Sequence, residues 1–124
     1  MKRNVVLALM ALLAGAGAAH AEGDAAAGEK VFGKCKACHV ADKPTNRVGP
    51  TLLGVFGRQA GHVDGFKYSD AMKDSGLTWD EATLDKYLAD PKGFIPKNKM
   101  AFAGLKAEQE RADVIAYLKK ATAQ

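Results

Sequence analysis

The stretch Cys35-Lys36-Ala37-Cys38-His39 constrains this chain more than any other. Two cysteines three residues apart on a helix lie on one face, with roughly 5–6 Å between their Cβ atoms. Both thiols can therefore reach the rim of one flat ligand, and the adjacent histidine can place its imidazole under the ligand's centre. The C-x-x-C-H spacing is the attachment pattern of a c-type haem, which uses two thioether bonds and one axial iron ligand. We therefore predict haem attachment at Cys35 and Cys38, with His39 binding the iron.

Three other interpretations of the motif are open at this point. A thioredoxin-like redox pair uses C-x-x-C, but it belongs to a βαβ context that this sequence does not suggest. A zinc site would need two further ligands, and the chain contains only two cysteines. A plain disulfide is the third interpretation, although the loop that it would close is small and strained.

The N-terminus has the pattern of an export signal. Lys2 and Arg3 precede an apolar run of about fifteen residues, which ends in the small-x-small site Ala19-His20-Ala21. A membrane span needs roughly 20 residues, so an uncleaved anchor is the alternative that we do not favour. We predict a cleaved signal peptide over residues 1–21, a mature domain over residues 22–124 and a periplasmic location. A free dithiol would not persist in that oxidising compartment, whereas thioether bonds remove the thiols from redox chemistry.

Charge and size limit the function further. The chain has 18 basic and 14 acidic residues, and two of the basic ones lie in residues 1–21, so the mature charge would be about +2. This balance does not suggest nucleic-acid binding. A mature domain of 103 residues buries only a modest core by itself. We therefore expect a buried macrocycle to form much of the interior and folding to depend on it.

The periodicity predicts short helices separated by long loops. Gly28 lies on the apolar stripe of the first helix, where it costs about 1 kcal/mol relative to alanine, so we predict a close helix–helix crossing there. The partner surface would include Val114 and Tyr117. Helices are predicted over residues 24–38, 69–74, from a capping box at 78–81 to just before Pro91, and over 107–121. Residues 40–65 and 91–105 look irregular, which is reasonable if they wrap a ligand.

A carrier haem needs a second axial ligand, whereas an enzyme haem tends to leave that position open. Outside residues 1–21 the candidates are Met72, Met100 and His62. Met100 follows a loop stiffened by Pro96 and is far from His39 in sequence, so we predict Met100 as the ligand. His62 is its main competitor, and Met72 is interpreted as a core residue. Ligation by histidine and methionine raises the reduction potential and favours electron transfer over catalysis.

Nearly all of the mature sequence resembles class I cytochrome c, of the mitochondrial type and its bacterial c2 relatives. Beyond the cysteine motif, the resemblance is carried by residues 23–24, 28–32, 48–52, 54–58, 65–71, 76–79, 87–88, 95–96, 99–104 and 115–120. It implies an all-α cytochrome c fold. About four to five short helices and long loops would wrap around one covalently bound haem, and the N- and C-terminal helices would cross.

The resemblance also implies roles for single residues. Pro50 would accept a hydrogen bond from His39 Nδ1, Tyr87 would place its hydroxyl near the Met100 sulfur, and Phe102 would cover the haem edge. The haem propionates would be held by one cation and three donors, namely Arg58, Tyr68, Ser69 and Trp79. Met72 and Asn98 depart from the usual asparagine and threonine, which leaves the hydrogen bonding near the propionate and Met100 open.

The implied function is electron transport, with no enzyme activity. A soluble, monomeric periplasmic carrier would pass single electrons from a quinol-oxidising (bc1-type) complex to a terminal oxidase or photosynthetic reaction centre, without nucleic acid or stable membrane insertion. Six lysines flank the segments expected to touch the haem: Lys34, Lys36, Lys92, Lys97, Lys99 and Lys106. They would steer redox partners with acidic docking surfaces, or they merely solubilise the surface. The competing function is a haem enzyme or gas sensor with an open or labile sixth position.

Overall fold

A computed structural model of the chain describes residues 22–124, and the signal peptide predicted for residues 1–21 lies outside that part. The described residues form five helices and no β-strand beyond an isolated bridge. The helices are α1 (Ala25–Phe32), α2 (Asp70–Lys73), α3 (Glu81–Ala89), α4 (Pro91–Phe94) and α5 (Glu108–Ala121). Between residues 22 and 124 no helix has both the length and the apolar character needed to cross a membrane.

The first helix is shorter than predicted. Its N-terminus is capped by the Asp24 carboxylate, which accepts a hydrogen bond of 2.9 Å from the Ala26 N–H. It ends at Phe32, so the predicted end at residue 38 was wrong. Gly33, a poor helix former, follows directly, and the motif then continues as turns in which Cys38 N–H donates to the Cys35 carbonyl at 3.1 Å.

The crossing of α1 and α5 is confirmed. A Cβ atom on Gly28 would overlap the backbone carbonyl of Asp113 and lie 2.9 Å from the Tyr117 Cβ. One helix turn further on, the rings of Phe32 and Tyr117 pack with their centroids 5.3 Å apart. The missing side chain at Gly28 is therefore what allows the two backbones to approach.

Two local predictions around α3 and α4 were wrong. The capping box would make Thr78 the N-cap of α3, but Asp80 takes that role and accepts from the Thr83 N–H at 2.7 Å. Thr78 instead forms an isolated antiparallel bridge with Gln59. The short helix α4 forms where irregular chain was expected, because Asp90 caps it and Pro91 is preorganised for a first helical position.

The core is built around a cavity as well as between helices. Phe32, Ile115 and other buried apolar residues form one cluster that joins α1, α3 and α5. Several of its members also line the cavity: Val55, Trp79, Leu84, Tyr87, Leu105, Val114 and Leu118. The apolar interior of the domain therefore faces the cavity on one side, as the small size of the chain led us to expect.

Candidate haem-binding site

One cavity of about 270 Å³, walled mainly by apolar side chains, brings together residues from the cysteine motif to the loop before α5. All of the site residues predicted from the sequence line it: Cys35, Cys38, His39, Pro50, Arg58, Tyr68, Ser69, Trp79, Tyr87, Met100 and Phe102. The walls also include residues that were not predicted, among them Gly49, Leu52 and Leu88. Their apolar character alone did not distinguish them from ordinary core residues.

The imidazole of His39 is held in one tautomer. Its Nδ1 lies 2.8 Å from the backbone carbonyl of Pro50, and because a carbonyl only accepts, Nδ1 carries the proton. Burial lowers the pKa of His39, and the Pro50 hydrogen bond only partly opposes this effect. The ring is therefore neutral at pH 7 and its Nε2 lone pair is available, which is the form that a metal ligand needs.

Gly49 supports the same ring by direct contact. A Cβ atom at this position would lie 2.7 Å from Nδ1 and 2.8 Å from Nε2 of His39, closer than any side chain could stay. The Gly49 backbone therefore forms a flat surface against the imidazole. The glycine immediately before Pro50 was the only sequence signal for this contact.

The Cys35 thiol is poorly suited to redox catalysis. Cys35 and Cys38 are both half-buried and are not joined by a disulfide. Burial raises the pKa of Cys35, and the neighbouring Cys38 raises it further, whereas a reactive dithiol needs a lowered thiol pKa. Among residues 22–124 no group of three histidine, cysteine or acidic side chains is arranged to hold a metal ion, so the structure gives no support to the zinc alternative.

The cavity wall includes one cation, Arg58, together with hydroxyl and N–H donors, and the Trp79 backbone N–H donates to the Arg58 carbonyl at 2.9 Å. Burial lowers the pKa of the half-buried Arg58, and no ion pair among the described residues includes its guanidinium. Tyr68 accepts at its hydroxyl oxygen from the Val63 N–H at 3.2 Å, which leaves the hydroxyl proton free to donate. Ser69 and Trp79 line the same cavity. This part of the wall can hold a carboxylate through charge and hydrogen bonds.

Two of the three candidates for the second iron ligand lie at the cavity, and the third does not. Met100 lines the cavity, and its Sδ lies 3.9 Å from the Tyr87 hydroxyl. Met72 also lines the cavity, so position alone does not exclude it. His62 is exposed, does not line the cavity, and has its Nδ1 2.8 Å from the Ala60 carbonyl.

The family model named Cytochrome c matches residues 25–122. The chain belongs to the cytochrome c family. It is 53% identical over 120 residues to cytochrome c2 of Rhodomicrobium vannielii, covering 95% of each chain. It is 65% identical over 88 residues to cytochrome c2 iso-2 of Magnetospirillum fulvum, covering 71% of this chain and 92% of the relative. Among solved structures, cytochrome cH from Methylobacterium extorquens matches with a TM-score of 0.75 and 56% identity, over 79% of this chain and 99% of the other.

Membership of the family confirms several predictions. The fold is that of cytochrome c, and the protein is an electron carrier whose cofactor is one covalent haem c. Cytochromes c of this kind are not enzymes, so the alternative of a haem enzyme was wrong. The residues of the cavity fit the cofactor, because two thiols, a neutral imidazole and a half-buried cation without a carboxylate partner meet at one apolar space.

Proposed function

We propose that this cytochrome c is a soluble, monomeric periplasmic carrier whose haem iron is ligated by His39 and Met100. It would move single electrons from a quinol-oxidising (bc1-type) complex to a terminal oxidase or photosynthetic reaction centre. The observation that carries the proposal is that an oriented, neutral imidazole and the Met100 thioether line the same apolar cavity. Several relatives are named cytochrome c2, which also supports a role in electron transport.

The haem would be held covalently through Cys35 and Cys38, and its iron would be bound by His39 and Met100. Bound haem supplies one iron centre that accepts and releases a single electron. Pro50 would keep the proton on Nδ1 of His39, so that Nε2 stays directed at the metal. A thioether sulfur is a weak donor, so ligation by Met100 would favour the reduced metal and raise the potential.

Two protein ligands on the iron would also exclude small molecules. Oxygen and peroxide would then have no coordination site, which suits a carrier and not a catalyst. Tyr87 would restrain the ligand, since its hydroxyl lies within reach of the Met100 sulfur. The exported location would rest on the signal peptide predicted for residues 1–21.

The propionates would lie against Arg58, Tyr68, Ser69 and Trp79. A buried carboxylate is costly unless it is paired or hydrogen-bonded, and Arg58 has no carboxylate partner among the described ion pairs. A propionate would supply that negative charge. The guanidinium is further tied to the Leu53 carbonyl at 3.2 Å, which fixes its position at the cavity wall.

The docking surface would surround the cavity mouth. Lys34 and Lys99 are exposed and also line the cavity, as does Val48, whose side chain is 76% exposed. An exposed apolar side chain beside lysines suits brief contact with acidic redox proteins. Charge steers the encounter, and a small contact area lets the partners separate.

Visible spectra of matched methionine variants test the ligation. Reduced wild-type protein should be low-spin and should not bind carbon monoxide at neutral pH, because both axial positions are filled. Met100→Ala should bind carbon monoxide at once, whereas Met72→Ala, which removes the other methionine at the cavity, should behave as wild type. Carbon monoxide binding by wild type, or by Met72→Ala alone, would contradict ligation by Met100.

Exported material tests the processing and the location. Mass analysis of the periplasmic fraction should find a chain that begins at Glu22 and carries one haem. A folded chain without haem, or a chain that keeps residues 1–21 and stays with the membrane, would contradict the proposal.

A further inference from the structure

Asn98 is a buried polar residue close to Met100 that does not line the haem cavity. Its side chain is 4% exposed, and its amide nitrogen donates to the Pro91 carbonyl at 2.8 Å and to the Ile95 carbonyl at 2.9 Å. The amide oxygen accepts from the Met100 N–H at 2.9 Å. One side chain therefore joins both ends of α4 to the backbone of Met100.

The backbone around Asn98 is held as well. The ammonium group of Lys92 donates to the Asn98 backbone carbonyl and lies 3.4 Å from its amide oxygen. The preceding residue, Lys97, adopts a left-handed conformation with φ of 66°, which costs a non-glycine residue free energy. The hydrogen bonds that Lys92 and the Asn98 side chain make around Lys97 are therefore needed to keep this conformation.

The chemistry of the contacts requires an amide. Two donated bonds and one accepted bond use both N–H groups and the oxygen of asparagine. A carboxylate has no donor for the two carbonyls, and a threonine hydroxyl has one donor only. Breaking such contacts in a buried position leaves backbone groups unpaired, which is costlier than the loss of an exposed hydrogen bond.

We propose that Asn98 is the positioning residue for the methionine ligand, and that it sets how firmly Met100 stays on the iron. The inference rests on the proposed ligation by Met100. Asn98 ties residues 95–100 to α4, so the Met100 backbone has little freedom to move away from the cavity. Loosening this tie favours states in which the sixth position is open to another ligand.

Imidazole, added to the oxidised holoprotein, is the probe. It competes with Met100 for the iron, so its apparent affinity measures how easily the methionine leaves. Asn98→Ala should bind imidazole at least about tenfold more tightly, since more than one buried hydrogen bond is lost. Asn98→Thr keeps one donor and one acceptor, so its imidazole affinity should lie between those of wild type and Asn98→Ala. The charge-transfer band of the methionine–iron bond should weaken in the same order.

Asn46→Ala is the matched control. Asn46 also braces backbone through its amide, donating to the Asp64 carbonyl at 3.1 Å and accepting from the Thr51 N–H at 2.9 Å, but it is remote from Met100 in sequence. Its imidazole affinity should stay within about twofold of wild type. An Asn98→Ala affinity within that range, or an equal rise in Asn46→Ala, would overturn the positioning role alone. A wild-type spectrum without the methionine–iron band would overturn the proposed ligation and this inference with it.

Discussion

Gly49 packs its backbone against the imidazole of His39, at a distance that leaves no room for a side chain. A Cβ atom there would lie 2.7 Å from Nδ1 and 2.8 Å from Nε2. Pro50, the next residue, accepts the hydrogen bond from the same Nδ1 at 2.8 Å. The orientation of the ring therefore depends on two neighbouring residues outside the cysteine motif, one acting by contact and the other by hydrogen bonding.

Gly49→Ala should displace the His39 ring. Overpacking against a group that cannot move freely costs about 1–3 kcal/mol of unfolding free energy. Chemical denaturation of the purified holoprotein and the yield of attached haem measure the effect, and both should fall. Gly33→Ala is the control, since Gly33 has φ of −50° and a Cβ there would meet only the Lys30 carbonyl, at 3.0 Å, so it should change stability less than Gly49→Ala. Equal stability of the two variants would contradict the contact.

Gly28→Ala should weaken the crossing of α1 and α5. Alanine gains about 1 kcal/mol in helix propensity, but its methyl group would overlap the Asp113 carbonyl, and separating two packed backbones costs about 3 kcal/mol or more. We expect a net loss of about 2 kcal/mol in denaturant unfolding. Glu29→Ala, at the exposed neighbouring position, should be close to neutral. A Gly28→Ala variant more stable than wild type would mean that propensity dominates and the helices can move apart.

The Tyr87 hydroxyl should ionise only at very high pH. Burial raises its pKa from 10.0 to about 12, so the unfolded phenol ionises first. Its contribution to stability is therefore complete below pH 10 and is lost between pH 10 and about 12. Tyr87→Phe should lose less unfolding free energy than wild type across that range, by up to about 2–3 kcal/mol. Tyrosinate absorbance checks the assignment, and a Tyr87 phenol that titrates near pH 10 in the folded protein would refute it.

Asp113 should make the N-terminal contact sensitive to acid. Its carboxylate accepts from the Asp24 N–H at 2.8 Å and from the Gln109 amide at 2.9 Å, and these bonds lower the pKa of Asp113 below its ordinary value of 3.8. A lowered folded-state pKa gives stability that is present above pH 3.8 and is lost as the pH falls through the folded value. Asp113→Asn should have a lower free energy of unfolding than wild type at pH 7, and this difference should become smaller in acid. A difference in unfolding free energy that does not change with pH would contradict an ionic contribution.

The motif and its spacing were sufficient to predict the cofactor. Cys35, Cys38 and His39 have a chemistry that few other functions share, and the remaining methionines and histidine left a short set of candidate ligands. Resemblance to cytochrome c then indicated the donors for the propionates. The cysteine motif, both candidate methionines and the propionate donors line one cavity, as expected if the chain folds around a single ligand, whereas His62 does not.

Competing local signals, and contacts between residues far apart in sequence, account for the features that the sequence did not predict. Thr78 and Asp80 are both good caps, and only the bridge from Thr78 to Gln59 decides between them. Pro91 ends α3 but also starts α4, because Asp90 supplies the cap. The contact of Gly49 with His39 and the hydrogen bonds of Asn98 join groups whose proximity depends on the folded loops, and no periodic pattern records them.

Charge reversal at the cavity mouth should slow electron transfer to an acidic partner. Lys34 is exposed and lines the cavity, so Lys34→Glu would place a negative charge on the proposed docking surface. Lys120→Glu makes the same charge change on an exposed residue of α5 that does not line the cavity, and it should have a smaller effect. Stopped-flow rates with an acidic redox protein should fall as salt rises, because screening shortens the range of attraction to about 8 Å at physiological ionic strength. The electron-transfer rate should depend less steeply on salt concentration for Lys34→Glu than for wild type. Rates that do not change with salt, or equal losses in both variants, would show that these lysines only keep the surface soluble.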